Sequence, residues 1–363
     1  MSAYLDPAQV GIEWLLDPQG VELPGLAREA ETRTPESPCD ADALARDADE
    51  LRRLERERHF GVATGLVGCP DDVVDAWSRR LARRPRTWSE AVTELQFDLR
   101  DALRDEHVRV FGAPRWRDGG AEQDEPGPAV ESRVVDGALV LQVRRLVGDR
   151  NDEALLAQWS ADADRHFAFD RIILDLRGNT GGNDGHTLAW AERRFRYVPR
   201  HVRDSVWAVR GTPLSLWNYA AWREARDGTD AVPPRLIAER HAPRPADEIA
   251  LVHTDWPLEA GDRPWDGTML VLVDRRTRSS GESSAWFLRD GLGARLVGTP
   301  TTGMIEYGNV APYVLPGSGF AIYLPTKHND YGMRVESVGF PVDAPLEDGV
   351  PADDVAARFD TFV

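Results

Sequence analysis

Two junctions in this chain carry residue types suited to acyl chemistry. The first is Thr277-Arg278-Ser279-Ser280-Gly281-Glu282-Ser283-Ser284-Ala285-Trp286, which follows the apolar run 269–273 and opens an amphipathic segment. At a strand-to-helix turn a serine hydroxyl is exposed, and the first N–H groups of the helix can hold a developing oxyanion. The same residues also read as a plain helix start, with Ser279 as N-cap and Glu282 completing a capping box. The second junction is Asp175-Leu176-Arg177-Gly178-Asn179-Thr180-Gly181-Gly182-Asn183, after the apolar run 171–174. Its glycines let the backbone turn sharply and approach a ligand closely. A glycine turn alone also suits a phosphate, but the lysine and spacing of a P-loop are absent.

Both turns need rigid elements behind them. The runs 138–143, 171–176, 269–273, 294–297 and 320–324 read as strands, and 151–167, 185–200 and 280–292 as helices. This alternation indicates an α/β core. Ahead of it, 41–58, 71–84 and 89–104 carry apolar residues at helical spacing, Leu95, Leu99 and Leu103 among them. The expected organisation is an acidic arm over 1–40, a helical cap over 41–111, a linker over 112–131, and a core over 132–363. A Trp/Pro-rich insertion at about 201–267 interrupts the core and offers aromatic side chains for a substrate pocket or for pinning the insertion down.

In this order, and about 100 residues apart, the two junctions resemble those of the tail-specific (C-terminal processing) serine peptidases. That family includes the tricorn protease core and the interphotoreceptor retinoid-binding protein modules. The resemblance covers roughly 132–350, with support from Gly298-Thr299-Pro300-Thr301-Thr302-Gly303 and from Val335-Glu336-Ser337-Val338-Gly339-Phe340-Pro341. It implies a ClpP/crotonase-like β-α superhelix core. It also makes Ser279 the nucleophile, and Gly181 or Gly182 with Ser280 the backbone donors of an oxyanion hole.

The base departs from part of that family. Bacterial members pair the serine with a lysine about 25 residues downstream; here that position is Met304. The tricorn branch uses an upstream histidine and a distant glutamate. Leu103-Arg104-Asp105-Glu106-His107 resembles its histidine motif, so the resemblance assigns His107 as general base and Glu336 as the supporting carboxylate. An imidazole with an unperturbed pKa of ~6.5 can activate a serine at neutral pH. His328 and Lys327 are alternative bases, and His186 a more distant one. The roughly 25 residues between His107 and the first core strand are too few for the PDZ domain that the family often carries.

Composition narrows the function. Of 44 basic residues only Lys327 is lysine, and 61 acidic residues leave a net charge of −17. Such a charge argues against nucleic-acid or anionic-membrane binding. Twelve of the acids against three arginines lie in residues 1–50. Cys39 and Cys69 are too few for a disulfide scaffold or a cysteine zinc site. No metal-ligand spacing occurs and no cofactor is implied. Without a visible signal peptide or an apolar run of ~18 residues, a cytoplasmic location is expected. The expected activity is a serine peptidase working on a peptide or peptide-like substrate through an acyl-enzyme. Acyl transfer, cyclisation or ester cleavage at the same site, and a non-catalytic ligand-binding module, are the alternatives.

Overall fold

The computed structural model describes residues 34–58, 74–75, 77, 79, 86–112, 127–148, 150–199, 206–210, 249–253, 260–315, 317–329 and 331–363. Most of the expected acidic arm, linker and Trp/Pro-rich insertion, and most of the helix expected over 71–84, lie outside these residues. In chain order the elements begin with α1 (Ala41–Arg58), α2 (Trp88–Leu103), β1 (Arg109–Phe111), β2 (Val130–Val135), β3 (Ala138–Val143), α3 (Arg150–Ala161) and α4 (Ala163–His166). They continue with β4 (Arg171–Asp175), α5 (Gly185–Ala191), β5 (Val206–Arg210), β6 (Ile249–His253), β7 (Thr268–Val273) and α6 (Ser280–Leu292). The last are β8 (Arg295–Gly298), β9 (Tyr307–Val314), β10 (Ala321–His328), β11 (Ala344–Pro345) and α7 (Ala352–Ala357).

Strands apolar on both faces occupy the middle of a six-stranded sheet, in the order β11-β8-β7-β4-β3-β2. Neighbours from β11 to β3 run parallel, and β2 is antiparallel to β3. Side chains alternate between the faces. Leu139, Leu141, Ile172, Leu174, Met269 and Val271 join a core with Trp159, Trp190 and Leu288 of α3, α5 and α6. Val140, Ile173, Leu270, Leu272 and Val297 face Val355, Ala356 and Phe359 on the other side. Burial on both faces is why these runs read as continuously apolar. The result is the α/β core expected for the ClpP/crotonase class.

A second sheet sits under the cap. β1 pairs antiparallel with β10, and β10 with β9. Leu44, Leu51, Leu95, Leu99 and Leu103 of α1 and α2 pack on Val110 of β1 and on Ile322 and Leu324 of β10. Val74 and Trp77 are buried in the same cluster. The strand expected over 320–324 therefore belongs to the cap, not to the parallel sheet. Asp47 of α1 fastens the two chain segments together, accepting the backbone N–H groups of Gly317 and Ser318.

Two expected helices end early. The helix expected over 151–167 breaks at Asp162 into α3 and α4. The one expected over 185–200 ends at Ala191 with a short 3-10 turn behind it, because the chain there bonds elsewhere. Arg196 and Tyr197 donate to the Gly291 carbonyl, and the Phe195 carbonyl accepts from Gly261. Of the insertion's tryptophans, Trp265 is buried, donates to the Phe169 carbonyl at 3.1 Å and packs edge-on against Phe167. It pins the insertion's end to the core. Trp217, Trp222 and Trp256 lie outside the described residues, as does the side chain of Trp207. Among the described residues no helix is long and apolar enough to cross a membrane.

Candidate active site

Strands β4 and β7 are neighbours, so the turns at their C-terminal ends lie side by side. Asp274 stitches them together: its Oδ1 accepts Gly178 N–H at 2.9 Å and Arg276 and Thr277 N–H at 3.0 Å. The buried Thr277 hydroxyl donates to the Leu176 carbonyl at 2.9 Å. Arg278 N–H reaches the Asn179 carbonyl at 3.0 Å. Ser279 follows with φ 52° and ψ −125°, a conformation that a residue with a Cβ adopts only under external constraint.

Glu282 supplies part of that constraint. Fully buried, it accepts Ser279 N–H at 3.1 Å, Gly303 N–H and Met304 N–H at 2.8 Å, and the Thr301 hydroxyl. Ser279 N–H also donates to the Met304 carbonyl at 3.0 Å. Burial pushes the Glu282 carboxyl up to about 7, against the four donors that favour its charged form. The capping-box reading of Glu282 was thus only part of its work, since it also binds the loop 301–304.

His107 arrives from the cap. Helix α2 starts at a capping box formed by Thr87 and Glu90, and ends where Arg104 turns left-handed at φ 50°. That turn throws Asp105, Glu106 and His107 towards the core before β1 begins. The buried His107 places Nε2 3.4 Å from Ser279 Oγ. Asp105, also buried, accepts His107 N–H at 2.7 Å, and its Oδ1 lies 3.9 Å from His107 Nδ1. Asp105 appeared in the sequence motif but was given no role there; only the fold brings its carboxylate against the imidazole.

Glu336 sits at the seam. Its Oε1 accepts Glu106 N–H at 2.9 Å, and its Oε2 accepts Ile305 and Glu306 N–H, both at 3.0 Å. One carboxylate therefore ties the cap loop of His107 to the core loop that follows Met304. Burial, and next the nearby Asp105, raise its pKa well above the usual carboxylate range. Ligand atoms of Asp105, His107 and Glu336 lie within 4.8 Å of one another. A metal fits poorly there, because the oxygens of Glu336 and Oδ1 of Asp105 are already occupied by backbone N–H groups.

The glycine turn lies against the serine. Gly181 and Gly182 both have positive φ, 101° and 131°. A Cβ on Gly181 would lie 2.8 Å from the Ser279 Cβ, so glycine is required for this approach. Gly181 N–H donates to Asn179 Oδ1 at 2.9 Å, which commits it to the turn itself. Among the described residues, the N–H groups of Gly182 and Ser280 have no acceptor, and Ser280 Oγ donates to the Gly182 carbonyl at 2.8 Å.

The two other candidate histidines lie elsewhere. His328 is half-buried with its ring against Tyr307, and His186 Nε2 lies 3.5 Å from Glu153. Lys327 pairs with Gly308 through its backbone; its side chain is outside the described residues.

Two solved structures agree with this architecture. A lipoprotein structure from Streptococcus agalactiae is 14% identical and has a TM-score of 0.50, over 91% of this chain and 98% of that one. A candidate peptidase from Parabacteroides merdae is 15% identical, with a TM-score of 0.50 over 87% of this chain and 93% of that one. The tricorn protease is 13% identical and has a TM-score of 0.35, over 88% of this chain and 35% of that one. No curated protein sequence matches. The model of peptidase family S41 matches residues 149–331, from α3 through both turns and the Ser279 helix to the end of β10. That is just over half of the 363 residues, and the chain belongs to peptidase family S41.

Proposed function

We propose that the protein is a serine peptidase in which Ser279 is the nucleophile and His107 its general base. The observation that carries this reading is the 3.4 Å separation of His107 Nε2 from Ser279 Oγ, on a strained strand-to-helix turn. Without a substrate such contacts are often long and tighten in the Michaelis complex. Ser279 Oγ attacks the scissile carbonyl as His107 takes its proton. The N–H groups of Gly182 and Ser280 receive the oxyanion. His107 then protonates the departing amine, and water, activated by the same imidazole, releases the acyl group. Asp105 faces Nδ1 and favours the imidazolium that forms in each step. Glu336 holds the histidine loop in place.

A fluorophosphonate probe tests the assignment directly. The wild-type protein is expected to be labelled on Ser279, and Ser279→Ala to abolish labelling. His107→Ala is expected to slow labelling by at least ~100-fold, within the range for loss of a general base. Labelling of the Ser279→Ala protein at the wild-type rate would refute the nucleophile.

A further inference from the structure

Three serines follow Ser279 on α6, and their hydroxyls all bond outside the helix. Ser280, Ser283 and Ser284 share one helix face by their spacing, and all three are buried. Ser280 Oγ donates to the Gly182 carbonyl at 2.8 Å. Ser283 Oγ donates to Asp184 Oδ2 at 2.6 Å, the shorter of its two contacts. Ser284 Oγ lies 2.7 Å from the buried Thr187 hydroxyl. The partners follow one another along the glycine turn and into α5. Alanine would fill the same contact and favours a helix more strongly. An alanine face leaves two elements free to slide, whereas a hydrogen bond fixes a length and a direction.

Gly182 is gripped from its other side by Leu146. Leu146 N–H donates to the Gly181 carbonyl at 2.9 Å, and the Leu146 carbonyl accepts Asn183 N–H at 2.8 Å. A trans peptide points its C=O and N–H in opposite directions, so the Gly182 N–H faces away from Leu146. Ser280 Oγ holds the Gly182 carbonyl, the group that Leu146 leaves open. One residue therefore does two things. Ser280 presents a backbone N–H with no acceptor among the described residues, and its hydroxyl fastens the residue that presents the other.

We propose that the hydroxyls of Ser280, Ser283 and Ser284 are positioning groups that set the spacing between the Gly182 and Ser280 N–H groups, and so the fit of the site to an oxyanion. The inference rests on the serine-peptidase reading. Oxyanion donors work at about 2.7–3.1 Å from the developing charge, so a small slide of α6 along α5 costs rate without removing a donor.

Fluorophosphonate labelling tests this, because Ser279 Oγ displaces fluoride from phosphorus, His107 takes the hydroxyl proton, and the phosphoryl oxygen occupies the place of the oxyanion. Saturation kinetics separate probe binding from the maximal labelling rate. Ser280→Ala is expected to lower the maximal rate about tenfold, less than the ~100-fold or more for loss of a whole donor. Probe binding and the pH midpoint of labelling should not change. Thr187→Val keeps the volume but loses the hydroxyl, and should lower the maximal rate about threefold, while Thr187→Ser keeps the hydroxyl and the rate. If Ser280→Ala does not fold, the Thr187 pair decides alone. Folded variants that lose thermal stability but label at the wild-type maximal rate would overturn the positioning role and leave the serine reading intact. A shifted pH midpoint would also overturn it, since the loss would then trace to the base. Absence of labelling in the wild-type protein would overturn the serine reading, and the positioning role with it.

Discussion

Ser279 holds backbone angles that its own side chain disfavours, and the buried carboxyl of Glu282 is one of the groups that keeps it there. Glu282 carries its charge at a cost, because burial raises its pKa from 4.5 to about 7. The folded protein therefore binds more protons than the unfolded chain between those values. By linkage, stability falls as pH rises from about 4.5 to 7, by up to about 3 kcal/mol from this residue. Glu282→Gln cannot titrate, so its stability should stay flatter across the same window. Denaturant midpoints at pH 5 and pH 7 measure this, and equal slopes for both proteins would refute it. The variant also turns amide hydrogens towards N–H donors, so a lower labelling rate at Ser279 is expected. At this scale the sequence was informative where chemistry is local. Ser279 and the glycine turn were legible from their flanking runs, and the glycines from their type. Asp105 was not, since its carboxylate acquires meaning only when Arg104 turns and His107 folds back beside it. Nor could spacing tell Gly181, whose N–H closes on Asn179, from Gly182, whose N–H does not.

Elements meet at Glu336. Its three backbone hydrogen bonds join the loop between α2 and β1 to the loop before β9. Glu336→Gln offers only one acceptor oxygen, so either the cap side or the core side of this staple loosens. A displacement of His107 by about 1 Å can cost on the order of 100-fold in rate. The expected outcome is a loss of kcat of at least tenfold, with the far-ultraviolet circular dichroism unchanged. Wild-type kcat in a folded Glu336→Gln protein would show that the staple does not position the base. Glu336 was singled out from sequence by resemblance, whereas its partners on both loops were hidden, because hydrogen bonds spanning 230 residues leave no local signature.

The whole molecule is built from a parallel α/β core and a cap that share one chain in an interleaved order. Leu315, Phe320, Ile322 and Leu324, contributed from beyond Ser279, lie in the cap's own apolar cluster. At roughly 1.5–3 kcal/mol for each buried side chain, they supply stabilisation comparable to the total of a small domain. Residues 34–112 alone should therefore give no cooperative thermal transition by circular dichroism. A sharp transition in that fragment would show the cap to be self-sufficient. The parallel strands were legible because burial on both faces writes a continuous apolar run. The partner of β10 was not, because a strand's sequence records its burial but not which sheet receives it.

The feature with the widest consequence is the distribution of the site along the chain. A ribosome makes His107 first, Ser279 next and the Glu336 staple last. A nascent chain that stops short of Glu336 lacks the carboxylate that joins the His107 loop to the core. On the serine-peptidase reading, the candidate site is therefore complete only once the chain has been made past Glu336.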